Sequence, residues 1–112
     1  HSFRAGRIVV VEEFDTIAEA FLGGLEDDAR TFQVIMDSVD DVLMVQEDSV
    51  KDAMRLLWSE KGEVVEGAGA TSVALILEQP ERFHKRRVVA VISGGNISQS
   101  QFQDIVRHSL TE

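Results

Sequence analysis

The chain has 112 residues, 44% of them hydrophobic, with no cysteine and a formal net charge of -9. That length and composition fit one small domain with a packed core and not a disordered chain. Disulfides and thiolate metal sites are excluded, and so acidic a chain is a poor ligand for nucleic-acid phosphates.

No apolar run nears the roughly 20 residues needed to cross a bilayer. No signal peptide is visible, so the expected setting is cytoplasmic, without membrane or nucleic-acid partners. Phe3-Arg4-Ala5-Gly6 reads as the end of an element already under way, and the expectation is that the chain begins mid-protein. Residues 7–11 are β-branched and predict a short strand. Thr16-Ile17-Ala18-Glu19 has the capping-box form, a Thr hydroxyl and a Glu three residues on that can satisfy each other's free N–H groups. It predicts a helix with Ala18, Phe21, Leu22 and Leu25 on one face, weakened or ended by Gly23-Gly24. Residues 12–28 carry seven carboxylates and no Lys or Arg, a solvated face.

Phe32, Ile35, Met36 and Val39 fall at helical spacing and predict a second helix. Residues 42–45 are apolar and too short for a helix, so they read as a buried strand. Val50, Ala53, Met54, Leu57 and Trp58 form one apolar stripe closed by Gly62, the clearest helix of the chain and a core face. Gly67-Ala68-Gly69-Ala70 opens a further helix through Val73, Ala74, Ile76 and Leu77, stopped at Pro80. Arg82, His84, Lys85, Arg86 and Arg87 form a solvated basic loop. The continuous apolar run 88–92 predicts a strand buried on both faces of a parallel sheet. A last helix turns Phe102, Ile105, Val106 and Leu110 inward, with Ser98 and Gln101 available to cap it. The expected class is α/β, helices packed on a few buried strands.

Ligands of such folds sit beyond the carboxyl ends of parallel strands, where Ser93-Gly94-Gly95-Asn96 falls. Two glycines let backbone approach a planar or anionic group, and a Ser hydroxyl can donate or accept one hydrogen bond. The same residues also suit a plain strand-to-helix turn with glycine chosen for positive φ. Glu66, beside the small-residue helix start at Gly67, either faces a ligand or is a surface carboxylate at a helix N-terminus. His1, His84 and His108 have no ligand-like spacing, and Lys51, Lys61 and Lys85 lie in solvated contexts unsuited to Schiff-base work.

Val39-Asp40-Asp41-Val42, the helix over 48–62, Val64-Val65-Glu66-Gly67-Ala68-Gly69-Ala70 and Val88-Val89-Ala90-Val91-Ile92-Ser93-Gly94-Gly95-Asn96 follow one another in an order and spacing that resembles the serine/threonine dehydratases and serine racemases. These are fold type II (tryptophan synthase β-like) enzymes of pyridoxal 5'-phosphate. The resemblance covers the whole chain and implies that residues 1–112 are the C-terminal part of the catalytic domain, with no regulatory domain. It implies that Ser93 hydrogen-bonds the pyridine nitrogen, that Gly94 and Gly95 pass close to the ring, and that Asn96 holds the loop. Glu66 would line the cofactor side, with Gly67, Ala68 and Gly69 as close-approach positions. A neutral hydroxyl leaves the ring nitrogen largely unprotonated, a weaker electron sink that suits β-elimination.

The family's Schiff-base lysine, its tetraglycine phosphate loop and the divalent-cation ligands of some members have no counterpart in these residues. No catalytic residue and no metal ligand is therefore expected here, and the isolated chain is expected to be inactive. The parent would convert L-threonine or L-serine to a 2-oxo acid and ammonia, as a homo-oligomer. Glu66-Gly67 replaces the Glu-Pro of many members and is similar to catabolic threonine dehydratases. Thr16-Ile17-Ala18-Glu19-Ala20 departs from the family's TIADG segment at its last two positions, which blurs assignment within the family. A racemase of the same family, a non-catalytic self-associating module, and an unrelated small-molecule domain are the alternatives.

Overall fold

The structure, a computed structural model, describes residues 1–107. Helices α1 (Ser2–Ala5), α2 (Arg30–Ser38), α3 (Glu47–Lys61), α4 (Gly67–Glu78), α5 (Pro80–Phe83) and α6 (Gln99–Arg107) follow in order, with a 3₁₀ turn at Glu19–Phe21. Leu110 and His108 lie outside the described residues.

Helix α3 is built as its sequence predicts. Glu47 and Asp48 open its first turn and Lys61 closes its last, matching the helix dipole. Gly62 takes φ 69°, its N–H donates to the Trp58 carbonyl at 2.8 Å and the Glu63 N–H to the Leu57 carbonyl at 3.3 Å, a left-handed C-terminal cap. Val50, Ala53, Met54 and Leu57 are buried along one stripe. Helix α4 lies against that stripe through Ala70 and Ala74, and α6 adds Phe102 to the same core, with Val65 between them. Trp58 is half exposed rather than a core residue, but its ring meets Phe102 edge to face at 5.6 Å. The hydroxyl of Ser98 accepts from the Gln101 N–H at 3.3 Å, the expected N-cap of α6. Pro80 does not merely stop α4, which ends at Glu78; it also opens α5 at its first position.

Two sequence expectations are corrected. The first is the buried strands. Among the described residues no strand is paired, so the helices do not rest on a sheet within this chain. Residues 7–11, 42–45 and 88–92 carry no regular structure, and Val10, Met44, Val89 and Val91 are 95%, 79%, 90% and 70% exposed. A helix closes its hydrogen bonds within itself, whereas a strand makes them only with a neighbour, and these runs find none. The second correction is the helix expected after Thr16, which is only the turn Glu19–Phe21, with Phe21, Leu22 and Leu25 exposed. In place of a capping box, the segment is held by a carboxylate of α3. Glu47 accepts from the Thr16 hydroxyl and, at 3.1 Å, from the Ile17 N–H, while Thr16 Oγ1 accepts from the Ala18 N–H. Gly23 then turns the chain at φ 109°.

Candidate functional site

The first turn of α4 sits between two other segments at backbone distance. Gly67 faces the carbonyl of Ile17, and a methyl group built there would overlap it. On the other side, a Cβ on Gly69 would lie 2.6 Å from the Gly94 carbonyl oxygen and 3.0 Å from its nitrogen. The Glu66 N–H donates to the Gly94 carbonyl at 3.1 Å, and the Glu66 carboxylate occupies the space a Gly94 side chain would need. Gly95 runs against the Val64 carbonyl, 2.5 Å from where its Cβ would be. Glu66, Gly67 and Gly69 are thereby brought together with Gly94 and Gly95, although more than twenty residues separate the two strings.

The glycines of the Ser93-Gly94-Gly95-Asn96 loop therefore have a reason that neither sequence reading named. Neither Gly94 nor Gly95 has positive φ. What each accommodates is another part of this chain, packed too close for a Cβ. That contact holds the loop: Ser93, Gly95 and Asn96 are exposed, while Gly67, Ala68, Gly69 and Ala70 are buried. Among the described residues, the side chains of Ser93, Asn96 and Glu66 have no hydrogen-bond or ion-pair partner. The Ser93 hydroxyl and Asn96 amide face solvent with their bonding capacity unused.

Three residues outside the expected set join this arrangement. Glu47 fixes the Thr16–Ile17 backbone on which Gly67 packs. Glu19 accepts from Gln101 Nε2 at 3.2 Å, linking the 3₁₀ turn to the helix that follows the loop. Ser72 donates to the Val91 carbonyl at 2.9 Å and ties run 88–92 to α4. The capping-box string held a signal for the first, since Thr16 is a hydrogen-bonding residue at a turn, but its partner lies 31 positions away. Lys51 pairs with Asp48, and Lys61 and Lys85 are exposed, so no lysine belongs to the arrangement. Among the described residues no cluster of His, Asp or Glu could hold a metal ion. Among the described residues no helix is long and apolar enough to cross a membrane.

An apolar groove of ≈ 860 Å³ adjoins on the side of Thr16, Glu47 and Ser72, between residues 11–24 and 41–47, floored by Val50 and Leu75. It contains none of Glu66, Gly67, Ser93, Gly94, Gly95 and Asn96.

Residues 1–94 match the family model of the pyridoxal-phosphate dependent enzymes. The chain is 32% identical over 96 residues to a β-hydroxyaspartate dehydratase of Paracoccus denitrificans, covering 86% of this chain and 30% of that protein. It is 33% identical over 111 residues to an L-threonine ammonia-lyase of Thermotoga maritima, covering 99% and 27%. The solved structure of maize serine racemase superposes with a TM-score of 0.75 at 29% identity, over 96% of this chain and 34% of that one. The chain thus spans about a third or less of the relatives it matches.

Proposed function

The chain belongs to the pyridoxal-phosphate dependent enzymes, with the type II fold of the threonine deaminases and serine racemases, and on that premise we propose that it forms the wall behind the cofactor ring of an ammonia-lyase acting on L-threonine or L-serine. The observation that carries this reading is the Ser93 hydroxyl. It is exposed, has no partner within the chain, and stands on a backbone held in place by Glu66 and Gly94.

The fit is to one edge of the ring. Ser93 offers a neutral hydroxyl that can bond a pyridine nitrogen without forcing a proton onto it. Gly95 presents exposed backbone with no Cβ above it, and Asn96 adds an amide. Glu66, half-buried beside Gly94, lines the same side. Pyridoxal phosphate, when bound, supplies an electron-accepting ring to the amino acid. Lys51, Lys61 and Lys85 stand apart from this arrangement, so in this reading the Schiff-base lysine and the phosphate loop come from the rest of the enzyme fold, and the isolated chain is expected to be inactive. The names of the dehydratase and ammonia-lyase relatives favour elimination, and so does Glu66-Gly67, the form similar to catabolic threonine dehydratases. Racemization is the second reading, favoured by the superposition on serine racemase.

A chimera tests both. This chain replaces the matched part of the Thermotoga maritima L-threonine ammonia-lyase. The reading predicts cofactor binding and 2-oxo acid release from L-threonine or L-serine. A folded chimera that binds cofactor and makes D-serine without 2-oxo acid selects the racemase reading, and a folded chimera that binds no cofactor overturns both.

A further inference from the structure

The Ser93–Asn96 loop is held on its near side by the Ser72 hydroxyl on the Val91 carbonyl and by the Glu66 N–H on the Gly94 carbonyl. On its far side the Ile97 N–H donates to the Gly95 carbonyl at 2.9 Å, a three-residue turn, and α6 starts at once from the Ser98 cap. The aim of the first turn of α6 therefore sets where the loop ends. Phe102 in the core and Arg55 Nε on the Ile105 carbonyl, at 2.9 Å, secure that helix against α3. Its first turn has a tie of its own. Gln101, half-buried, donates from Nε2 to Glu19 Oε1 at 3.2 Å, across 82 positions of sequence. Glu19 stands on fixed ground: Ala18 beside it is buried, the Ile17 carbonyl rests on Gly67, and Glu47 accepts from the Thr16 hydroxyl and the Ile17 N–H. The contacts close into a circuit, from Gly67 through Ile17 and Glu19 to Gln101, and through α6, Gly95 and Gly94 back to Glu66.

We propose that Glu19 and Gln101 are a positioning pair, whose bond closes this circuit and sets where the Ser93 hydroxyl stands relative to the cofactor ring. The proposal rests on the functional reading of Ser93 above. Neither residue touches the cofactor in it; both act through the first turn of α6 and the loop that turn ends. Glu19 is also one of the two positions at which Thr16-Ile17-Ala18-Glu19-Ala20 departs from the TIADG segment, and its side chain is one methylene longer than the Asp it replaces. That carboxylate is the acceptor in the contact, and a hydrogen bond to an ionised acceptor is stronger than one between neutral groups.

The test uses the chimera with the Thermotoga maritima L-threonine ammonia-lyase, and pyridoxal phosphate as the probe. Glu19→Ala and Gln101→Glu are each expected to shift the absorbance band of the bound cofactor and to raise its dissociation constant about threefold to tenfold, the range of one hydrogen bond. Gln101→Glu separates positioning from plain support. It sets two carboxylates against each other at the contact, yet places a negative charge in the first turn of α6, where the helix favours one. The isolated chain carrying it is expected to keep its helical circular dichroism. The double variant Glu19→Gln with Gln101→Glu exchanges donor and acceptor across the same contact. It is expected to restore the parent band, and the affinity to within about twofold. Gln33→Ala removes a bond of the same kind on α2, from Gln33 Nε2 to Asp37 Oδ1 at 2.8 Å, and as the control is expected to change neither. If Glu19→Ala and Gln101→Glu leave band and affinity as in the parent chimera, or if the double variant does not restore them, the inference is overturned and the functional reading stands. If the parent chimera folds and binds no cofactor, the functional reading falls and takes the inference with it.

Discussion

Four glycines near the candidate site look alike in sequence and differ in what they face, which separates their roles experimentally. Gly69 and Gly95 face backbone atoms that cannot yield, whereas Gly94 faces the far end of the Glu66 side chain, which can swing away. Gly69→Ala is expected to destabilise the chain by about 1–3 kcal/mol, the usual cost of overpacking. Gly94→Ala is expected to change stability by less than about 1 kcal/mol, within the range of tolerated substitutions, while moving the Glu66 carboxylate. Gly24, with nothing within 4 Å and no positive φ, is the control: Gly24→Ala should stay within about 0.5 kcal/mol of the parent. Urea unfolding followed by Trp58 fluorescence measures all three, since that ring rests on Phe102 across the core. Unequal stability of Gly69→Ala and Gly94→Ala, in that order, is the signature of the packing described; equal effects would contradict it.

At the scale of elements, helix α3 carries the core. Met54 is fully buried, and Met54→Ala is expected to cost about 2–5 kcal/mol by the same unfolding measurement. Ser98→Ala removes the N-cap of α6 and is expected to cost about 0.5–1 kcal/mol, the lower part of the usual capping range. Helices α2, α3, α4 and α6 were legible in the sequence because their stripes and caps are local: Val50, Ala53, Met54, Leu57 and Gly62 declare α3 without reference to the rest of the chain. The segment after Thr16 misled for the opposite reason, because it is fixed from a distance: Glu47, 31 residues on, accepts from the Thr16 hydroxyl and the Ile17 N–H. The positions proposed for the site, Glu66 and Ser93 to Asn96, stand out in the sequence as glycine-marked strings. That they clasp one another does not, since the Glu66–Gly94 contact is a pairing of distant residues and no local pattern encodes it.

For the molecule as a whole, the strand-like runs tell most. Their composition reads as that of buried strands, yet among the described residues they are bare and pair with no neighbour. The Cα radius of gyration, 15.5 Å, exceeds the about 13 Å of a compact domain of this length for the same reason. Amide hydrogen exchange on the isolated chain should therefore show residues 88–92 nearly unprotected and the amides around Met54 and Leu57 protected. Protection of 88–92 in the monomer would contradict that unpaired state. The central claim, however, is that Ser93 faces the ring nitrogen. It is tested most directly by the absorbance spectrum and 2-oxo acid release of the chimera with and without Ser93→Ala. The account predicts retained cofactor, a shifted cofactor band, and turnover lower by about tenfold, the equivalent of one lost hydrogen bond of roughly 1.4 kcal/mol. An unchanged band with unchanged turnover would contradict it.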